Sequence, residues 1–167
     1  ESAMDWDELM RETGSGEFKV LVVEDEPELR RFIVSLMAGQ HRVVQAADGE
    51  RGLEAIGVHK PDLLLLDLML PGVDGLEVCR RIKSNPETRH IKIILLTART
   101  DEESKITALK HGADDFLNKP FSSTELAARV GNLLQSSKLQ SALREKNVAL
   151  EETLVQLKSA EVQLIQS

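Results

Sequence analysis

Apolar and polar positions alternate along residues 18–131 in two distinct rhythms. Short apolar runs occur at Phe18–Val23, Leu63–Leu66 and Ile91–Leu96, broken only by Lys19 and Lys92 near their starts and lacking the alternation of a half-exposed strand. Runs of that kind fit parallel strands covered on both faces. His41 to Ala47 and the pair Phe116-Leu117 read as two further, shorter strands. Between the runs, apolar residues recur at helical spacing. Leu29, Phe32, Ile33, Leu36 and Met37 follow Pro27 at a helix start, and Gly39 closes that helix. Asp48-Gly49 opens a second helix with Leu53 and Ile56 inward, and Leu76, Val78, Cys79 and Ile82 mark a third. A fourth spans Asp101 to Lys110 before Gly112, and Ser122 or Ser123 caps a fifth, with Glu125 in its first turn. Five strands and five helices in strict alternation predict an α/β sandwich around a parallel sheet.

The fifth helical pattern does not stop. After Gly131 there is no Gly, Pro or aromatic residue through Ser167. Leu143, Leu150, Leu157 and Leu164 recur every seven residues, which places Asn147, Leu154 and Glu161 at the a positions when the leucines are d. An Asn at a sets register and favours two strands, and Lys146 at g faces Glu151 of the partner subunit in a parallel pair. The expectation is a parallel coiled-coil homodimer through Leu143, Asn147, Leu150, Leu154, Leu157 and Leu164. The seam is imperfect, with Glu161 at a and Ser136 where another d belongs. A lone amphipathic helix packing on a further domain is the alternative.

Composition adds bounds rather than a function. At 167 residues, 41% hydrophobic and 29% charged, the chain is long enough for one ordinary domain with some left over. Aromatics at 3% imply an aliphatic core, and the single Cys79 excludes an internal disulfide. The longest apolar stretch, Leu63 to Leu70, is interrupted by Asp67 and too short to cross a bilayer. With no secretory pattern at the start, a cytoplasmic setting is expected. The formal charge of −7 argues against nucleic acid as a direct partner, since no basic surplus exists to displace counterions. Much of that charge lies in residues 1–17, where Glu1, Asp5, Asp7, Glu8, Glu12 and Glu17 face Arg11 alone. This leader contains a possible helical turn or two with Trp6, Leu9 and Met10 on one side. It ends in Thr13-Gly14-Ser15-Gly16, read as a flexible joint. Three segments result: an acidic leader at 1–17, an α/β domain at 18–134 and a helical extension at 135–167, whose charges balance.

The chemistry sits at strand ends. In open α/β sheets, ligands bind beyond the carboxyl ends of the strands. Those ends carry Glu24-Asp25 after the first strand, Asp67 after the third, Thr97 at the end of the fourth and Lys119 after the fifth. Taken singly these are weak signals, because acidic turns are mostly solvated surface and Lys-Pro is an ordinary loop. Asp67 is the exception, since it directly follows four leucines and must end a buried strand. Crowded carboxylates repel unless a cation joins them, and hard oxygen ligands suit Mg²⁺. A divalent cation, an ammonium and a hydroxyl together are prepared for a phosphoryl group.

These residues lie in recognisable motifs: Val-Val-Glu-Asp-Glu-Pro at 22–27, Leu-Leu-Leu-Leu-Asp-Leu-Met-Leu-Pro-Gly-Val-Asp-Gly at 63–75, Ile-Leu-Leu-Thr-Ala at 94–98 and Asn-Lys-Pro-Phe at 118–121. In them the sequence resembles the receiver domains of two-component response regulators from Phe18 to Leu134. The resemblance implies a flavodoxin-like, doubly wound five-stranded parallel sheet of order 2-1-3-4-5 with five helices. It implies that Asp67 accepts a phosphoryl group from a histidine kinase or phosphotransfer protein. Asp25 and Asp67 would hold Mg²⁺ with the Met69 backbone carbonyl, Glu24 helping directly or through water. Thr97 and Lys119 would bind phosphoryl oxygens, the Lys119–Pro120 bond would be cis, and Phe116 would take the aromatic switch position beside Thr97.

Met69, two residues past Asp67, offers no general acid or base. That argues for a phosphoryl adduct kept long enough to signal, and against a haloacid-dehalogenase-type phosphatase, which needs a second Asp there. A flavin site is disfavoured too, because Glu24, Asp25 and Glu26 would repel a cofactor phosphate. The ending Leu157–Ser167 resembles the signalling helix that precedes the dimerisation and phospho-histidine segment of many histidine kinases. The reading is therefore a non-enzymatic phospho-acceptor module with a signalling helix, from a hybrid sensor kinase. The alternative is a regulator whose coiled coil only dimerises, docks a partner or feeds another output domain such as a cyclase. No membrane contact is expected of these residues.

Overall fold

A computed structural model of the chain describes Asp7 and residues 11–167. Five strands are present: β1 (Lys19–Val23), β2 (Arg42–Ala46), β3 (Leu63–Asp67), β4 (Lys92–Thr97) and β5 (Asp115–Asn118). They alternate with α1 (Pro27–Ala38), α2 (Gly49–His59), α3 (Gly75–Ser84), α4 (Glu102–Lys110) and α5 (Ser123–Gln166). The sheet is wholly parallel, as the apolar pattern predicts, in the order β2-β1-β3-β4-β5 that the family resemblance implies. Successive residues of each strand feed opposite faces. Leu21, Val23, Leu64, Leu66, Ile93 and Leu95 pack with Ala55, Ile56, Val78, Cys79, Ile82 and Ala108 from α2, α3 and α4. Val20, Val22, Leu63, Leu65, Ile94 and Leu96 pack with Ile33 and Met37 of α1 and with Leu126, Val130 and Leu134 of α5. Burial on both faces is why β1, β3 and β4 read as near-continuous apolar runs. Burying each such side chain contributes roughly 1.5–3 kcal/mol.

The helix starts are locally encoded. The Glu26 carboxylate accepts from the N–H groups of Glu28 (3.0 Å) and Leu29 (2.6 Å), with Pro27 at the first helical position. Asp48 and Asp74 cap α2 and α3 by accepting from Arg51 and Glu77 N–H, and the Ser122 hydroxyl accepts from Glu125 N–H. Phe32, one of the residues at helical spacing, is 46% exposed, and the buried line of α1 is Arg30, Ile33 and Met37.

The flexible joint expected at Thr13–Gly16 gives way to a strap on the sheet edge. Thr13 exchanges both backbone hydrogen bonds with Val43 of the edge strand β2, at 2.9 and 2.8 Å, in antiparallel sense. Glu12 pairs with Lys19 and Arg42, and Arg42 donates to the carbonyls of Gly16 and Glu17. Gly14 is needed for contact rather than mobility. Its φ is +76°, and a Cβ there would lie 2.3 Å from the His41 carbonyl oxygen. Replacing Gly14 with Ala is expected to lower stability by about 1–3 kcal/mol, read as a lower urea midpoint at unchanged m-value. An unchanged midpoint would mean the strap contributes nothing. The helical turns expected around Trp6, Leu9 and Met10 lie outside the described residues.

The chain separates after Leu134 into a compact unit and Gln135–Ser167. The second unit is helical to Gln166. Within it, Leu143, Leu150, Leu154, Leu157 and Leu164 are each more than half exposed, and Asn147 is exposed with them. Val148, Val155 and Val162, also seven apart and exposed, form an additional apolar line outside the a/d frame. Among the described residues, no helix is long and apolar enough to cross a membrane.

Candidate functional site

The site is built where β1, β3 and β5 end. Parallel register brings Val23 beside Leu66, so the residues that follow both strands emerge at the same rim. Of the three consecutive acids after β1, each does something different. Glu24 is 0% exposed, Asp25 is exposed at the rim, and Glu26 is occupied in capping α1. Ligand oxygens of Glu24, Asp25 and Asp67 all lie within 4.8 Å of one another. Lys119, delivered by β5, places its Nζ 2.8 Å from Glu24 Oε1 and 3.3 Å from Asp67 Oδ2. The approach to Glu24 Oε1 is an ion pair whose alignment falls short of a hydrogen bond, leaving that buried oxygen without a directed donor.

The backbone has been shaped to allow this convergence. Met69 N–H donates to Asp67 Oδ1 at 3.2 Å, and Glu26 N–H to Glu24 Oε2 at 3.2 Å. Gly75, which opens α3, passes so near the end of β3 that a Cβ there would lie 2.4 Å from the Asp67 carbonyl oxygen. The Lys119–Pro120 peptide is cis, as the motif resemblance implies.

Electrostatics at the rim are unresolved by protein groups alone. Burial, followed by the hydrogen bond and charge of Glu24, pushes the Asp67 carboxyl up to about 8, against the pull of Lys119 and the Met69 N–H. Burial works against the Lys119 charge, but Glu24 and Asp67 outweigh it and hold the ammonium above its ordinary value. One ammonium therefore serves three clustered carboxyl groups. A buried oxygen lacking a directed donor, next to two more carboxylates, is the donor set that a hard divalent cation suits. Mg²⁺ fits this chemistry.

Thr97 is placed differently from Lys119. Its hydroxyl is fully buried and donates to Asn118 Oδ1 at 2.8 Å, with the Leu117 carbonyl oxygen at 3.4 Å, so it is turned toward β5. Glu24, Asp25, Asp67 and Lys119 are thus assembled, while the Thr97 hydroxyl is committed elsewhere. Phe116, half-buried on β5, lies under Lys105 Nζ at 4.2 Å from its ring centroid, with the Arg129 guanidinium at 6.0 Å. Arg129 also pairs with Asp115. Met69 itself is 60% exposed.

The motif reading assigns no role to two residues at the site. Asn118 holds the Thr97 hydroxyl, and only its position immediately before Lys119 points to it. Arg30 donates from its Nη1 to the Glu24 carbonyl oxygen at 2.9 Å. Its signal in the sequence is an arginine three and seven residues before Ile33 and Met37, on the apolar face of α1.

Comparison with known proteins gives a consistent match. The family of response regulator receiver domains matches residues 20–131. The chain is 44% identical over 142 residues to hybrid signal transduction histidine kinase D of Dictyostelium discoideum, covering 83% of this chain and 9% of that protein. It is 43% identical over 123 residues to the transcriptional regulatory protein AfsQ1 of Streptomyces coelicolor, covering 73% and 53%. The crystal structure of the signal receiver domain of a signal transduction histidine kinase from Syntrophus aciditrophicus superposes with a TM-score of 0.67 at 31% identity, covering 72% of this chain and 92% of that one. The chain spans about half or less of the two curated relatives' own length.

Proposed function

Because this chain belongs to the response regulator receiver family, whose domains accept phosphoryl groups and are not catalysts, we propose that Asp67 is its phosphoryl acceptor. The observation that carries the reading is the convergence of Glu24, Asp25, Asp67 and Lys119 at one rim of the sheet. An Asp67 carboxylate oxygen attacks the phosphorus of a phosphohistidine, the new O–P bond forming as the N–P bond to imidazole breaks. Glu24, Asp25 and Asp67, with the Met69 carbonyl, would hold Mg²⁺. When bound, that ion neutralises the carboxylates and the charge on the transferring oxygens. Lys119 shifts its ammonium between Asp67 and a phosphoryl oxygen. Thr97 reaches the same group by leaving Asn118 and rotating its hydroxyl inward.

That rotation opens space at β5, into which Phe116 turns, exchanging its contact with Lys105. The altered α4–β5–α5 surface then acts on the helical extension. We assign Leu143, Asn147, Leu150, Leu154, Leu157 and Leu164 to a parallel homodimer seam; their exposure and heptad spacing support it. The phosphoryl donor is a histidine kinase or phosphotransfer protein, the partners of this family. The resemblance of Leu157–Ser167 to the signalling helix of histidine kinases supports a receiver within a hybrid sensor kinase, the alternative being a regulator whose coiled coil dimerises or feeds another output domain.

Incubation with a small phosphodonor and Mg²⁺ tests the reading. The chain is expected to gain one phosphoryl group in intact mass, and disulfide cross-linking of a Leu157→Cys variant should differ between the two states. Cross-links at equal rate with and without phosphodonor would sink the coupling to the helix. Absence of any mass gain would sink the acceptor reading itself.

A further inference from the structure

Arg30 is the buried charge that this chemistry leaves unused. It is 8% exposed and sits one turn into α1, on the line that faces the sheet. A guanidinium taken out of water needs partners, and its fork is shaped to span two of them. Nη1 donates to the Glu24 carbonyl oxygen at 2.9 Å, and Nε donates to Gln45 Oε1 at 3.2 Å. Gln45 lies on β2, and the next residue, Ala46, accepts the Glu24 N–H at 3.1 Å. The Glu24 backbone is therefore held on both sides, its N–H by β2 and the carbonyl it shares with the Glu24–Asp25 peptide by Arg30 of α1. Glu24 enters the rim with its carboxylate tied to Lys119 and the Glu26 N–H. Asp25, exposed and one bond further on, takes its direction from that peptide.

We propose that Arg30, braced by Gln45, is a positioning residue for Mg²⁺ binding and phosphoryl acceptance: it fixes the Glu24–Asp25 peptide so that both carboxylates face Asp67. The inference rests on the phosphoryl-acceptor reading of this rim. Outer-shell groups that orient ligands typically change metal affinity or activity by about 10–100-fold when removed. A second role for Arg30, as a mere counter-charge behind the acids, makes opposite predictions. A counter-charge repels the incoming cation, so its removal would tighten Mg²⁺ binding, and lysine would replace arginine in full. A clamp needs the fork, so lysine fails with methionine, and Gln45→Leu weakens the site although it removes no charge.

The full-length chain is compared with its Arg30→Lys, Arg30→Met and Gln45→Leu variants. Mg²⁺ affinity is measured by calorimetry with the ion alone. The rate of phosphoryl gain from phosphoramidate is measured by intact mass at saturating Mg²⁺. Both Arg30 variants are expected to bind Mg²⁺ about 10-fold more weakly and to be phosphorylated about 10-fold more slowly, with Gln45→Leu falling in the same direction by less. Tighter Mg²⁺ binding by Arg30→Met, or wild-type behaviour of Arg30→Lys, overturns the proposal. Melting of each metal-free variant identifies any that fail to fold; if Arg30→Met is one, Arg30→Lys and Gln45→Leu carry the test. No phosphoryl gain by the unaltered chain would overturn the acceptor reading, whereas normal gain with indifferent variants overturns the role of Arg30 alone.

Discussion

Asp67→Asn is expected to abolish phosphoryl transfer to the chain while making the metal-free protein more stable. The loss follows from chemistry, because an amide oxygen cannot form the mixed anhydride that a carboxylate forms. The gain follows from burial. In the folded protein the Asp67 carboxyl is pushed to about 8, chiefly by burial and then by Glu24, against an ordinary value of 3.8. Between these two values the native state holds a proton that the unfolded chain releases. Stability from this group is therefore complete below about pH 4 and is lost as pH rises through about 8. The metal-free wild type should lose stability across that window, and the Asn variant, with nothing to titrate there, should lose less. In chelator above pH 8 the variant should melt several degrees higher. Mg²⁺ should reverse the order, because it stabilises only a folded rim that can bind it. Parallel melting curves for the two proteins across this range would show that Asp67 carries no such strain. Phosphoryl gain by the Asn variant would place the acceptor at another residue.

Lys119→Met is expected to produce the largest loss of stability among rim substitutions. Glu24 is 0% exposed and Lys119 Nζ stands 2.8 Å from it, so the change leaves a buried carboxylate without its ion partner. Removing one member of a buried pair costs about 3–5 kcal/mol. Urea unfolding in chelator should show the loss, and Mg²⁺ should restore more stability to the variant than it adds to the wild type. Phosphoryl gain should fall by about 100-fold, since the fixed ammonium no longer meets the charge that develops on the transferring oxygens. A variant that unfolds in chelator like the wild type would mean that the Lys119–Glu24 pair contributes nothing to stability.

Asp67 and Arg30 mark the two ends of what the sequence reveals about the site. Four leucines before an aspartate leave little choice but a buried strand ending in an acid, so Asp67 declares itself. Glu24, Asp25 and Lys119 declare themselves once the strands on which they follow are recognised. Arg30 has the same burial yet no such flag, because one arginine on a helix reads as solvated surface until its face is known. Phe32 is the complementary case. It satisfies helical spacing with its apolar neighbours, but the buried line of α1 runs through Arg30, Ile33 and Met37 and leaves Phe32 outside. The glycines of the leader were ambiguous for a related reason. The same residue permits a loose joint and a close backbone approach, and only the position of His41 and Val43 selects the second at Gly14.

The sequence by itself determined the alternation of strands and helices, the parallel sheet and which strand ends carry the reactive groups, while the strand order followed only from the family resemblance. The former are local or periodic properties: apolar runs, capping residues and the motif spacing around Asp67. Tertiary structure alone decided the directions of side chains and the partners they meet. It turned the Thr97 hydroxyl to Asn118, clamped the Glu24 peptide with Arg30 and Gln45, and fastened Thr13 to the edge of β2. Except for Arg30 and the nearby Glu24 carbonyl, those contacts join residues fifteen or more apart in the chain. Hydrogen bonds are set by distances of a few ångströms and by alignment, and no periodicity in the sequence encodes either one.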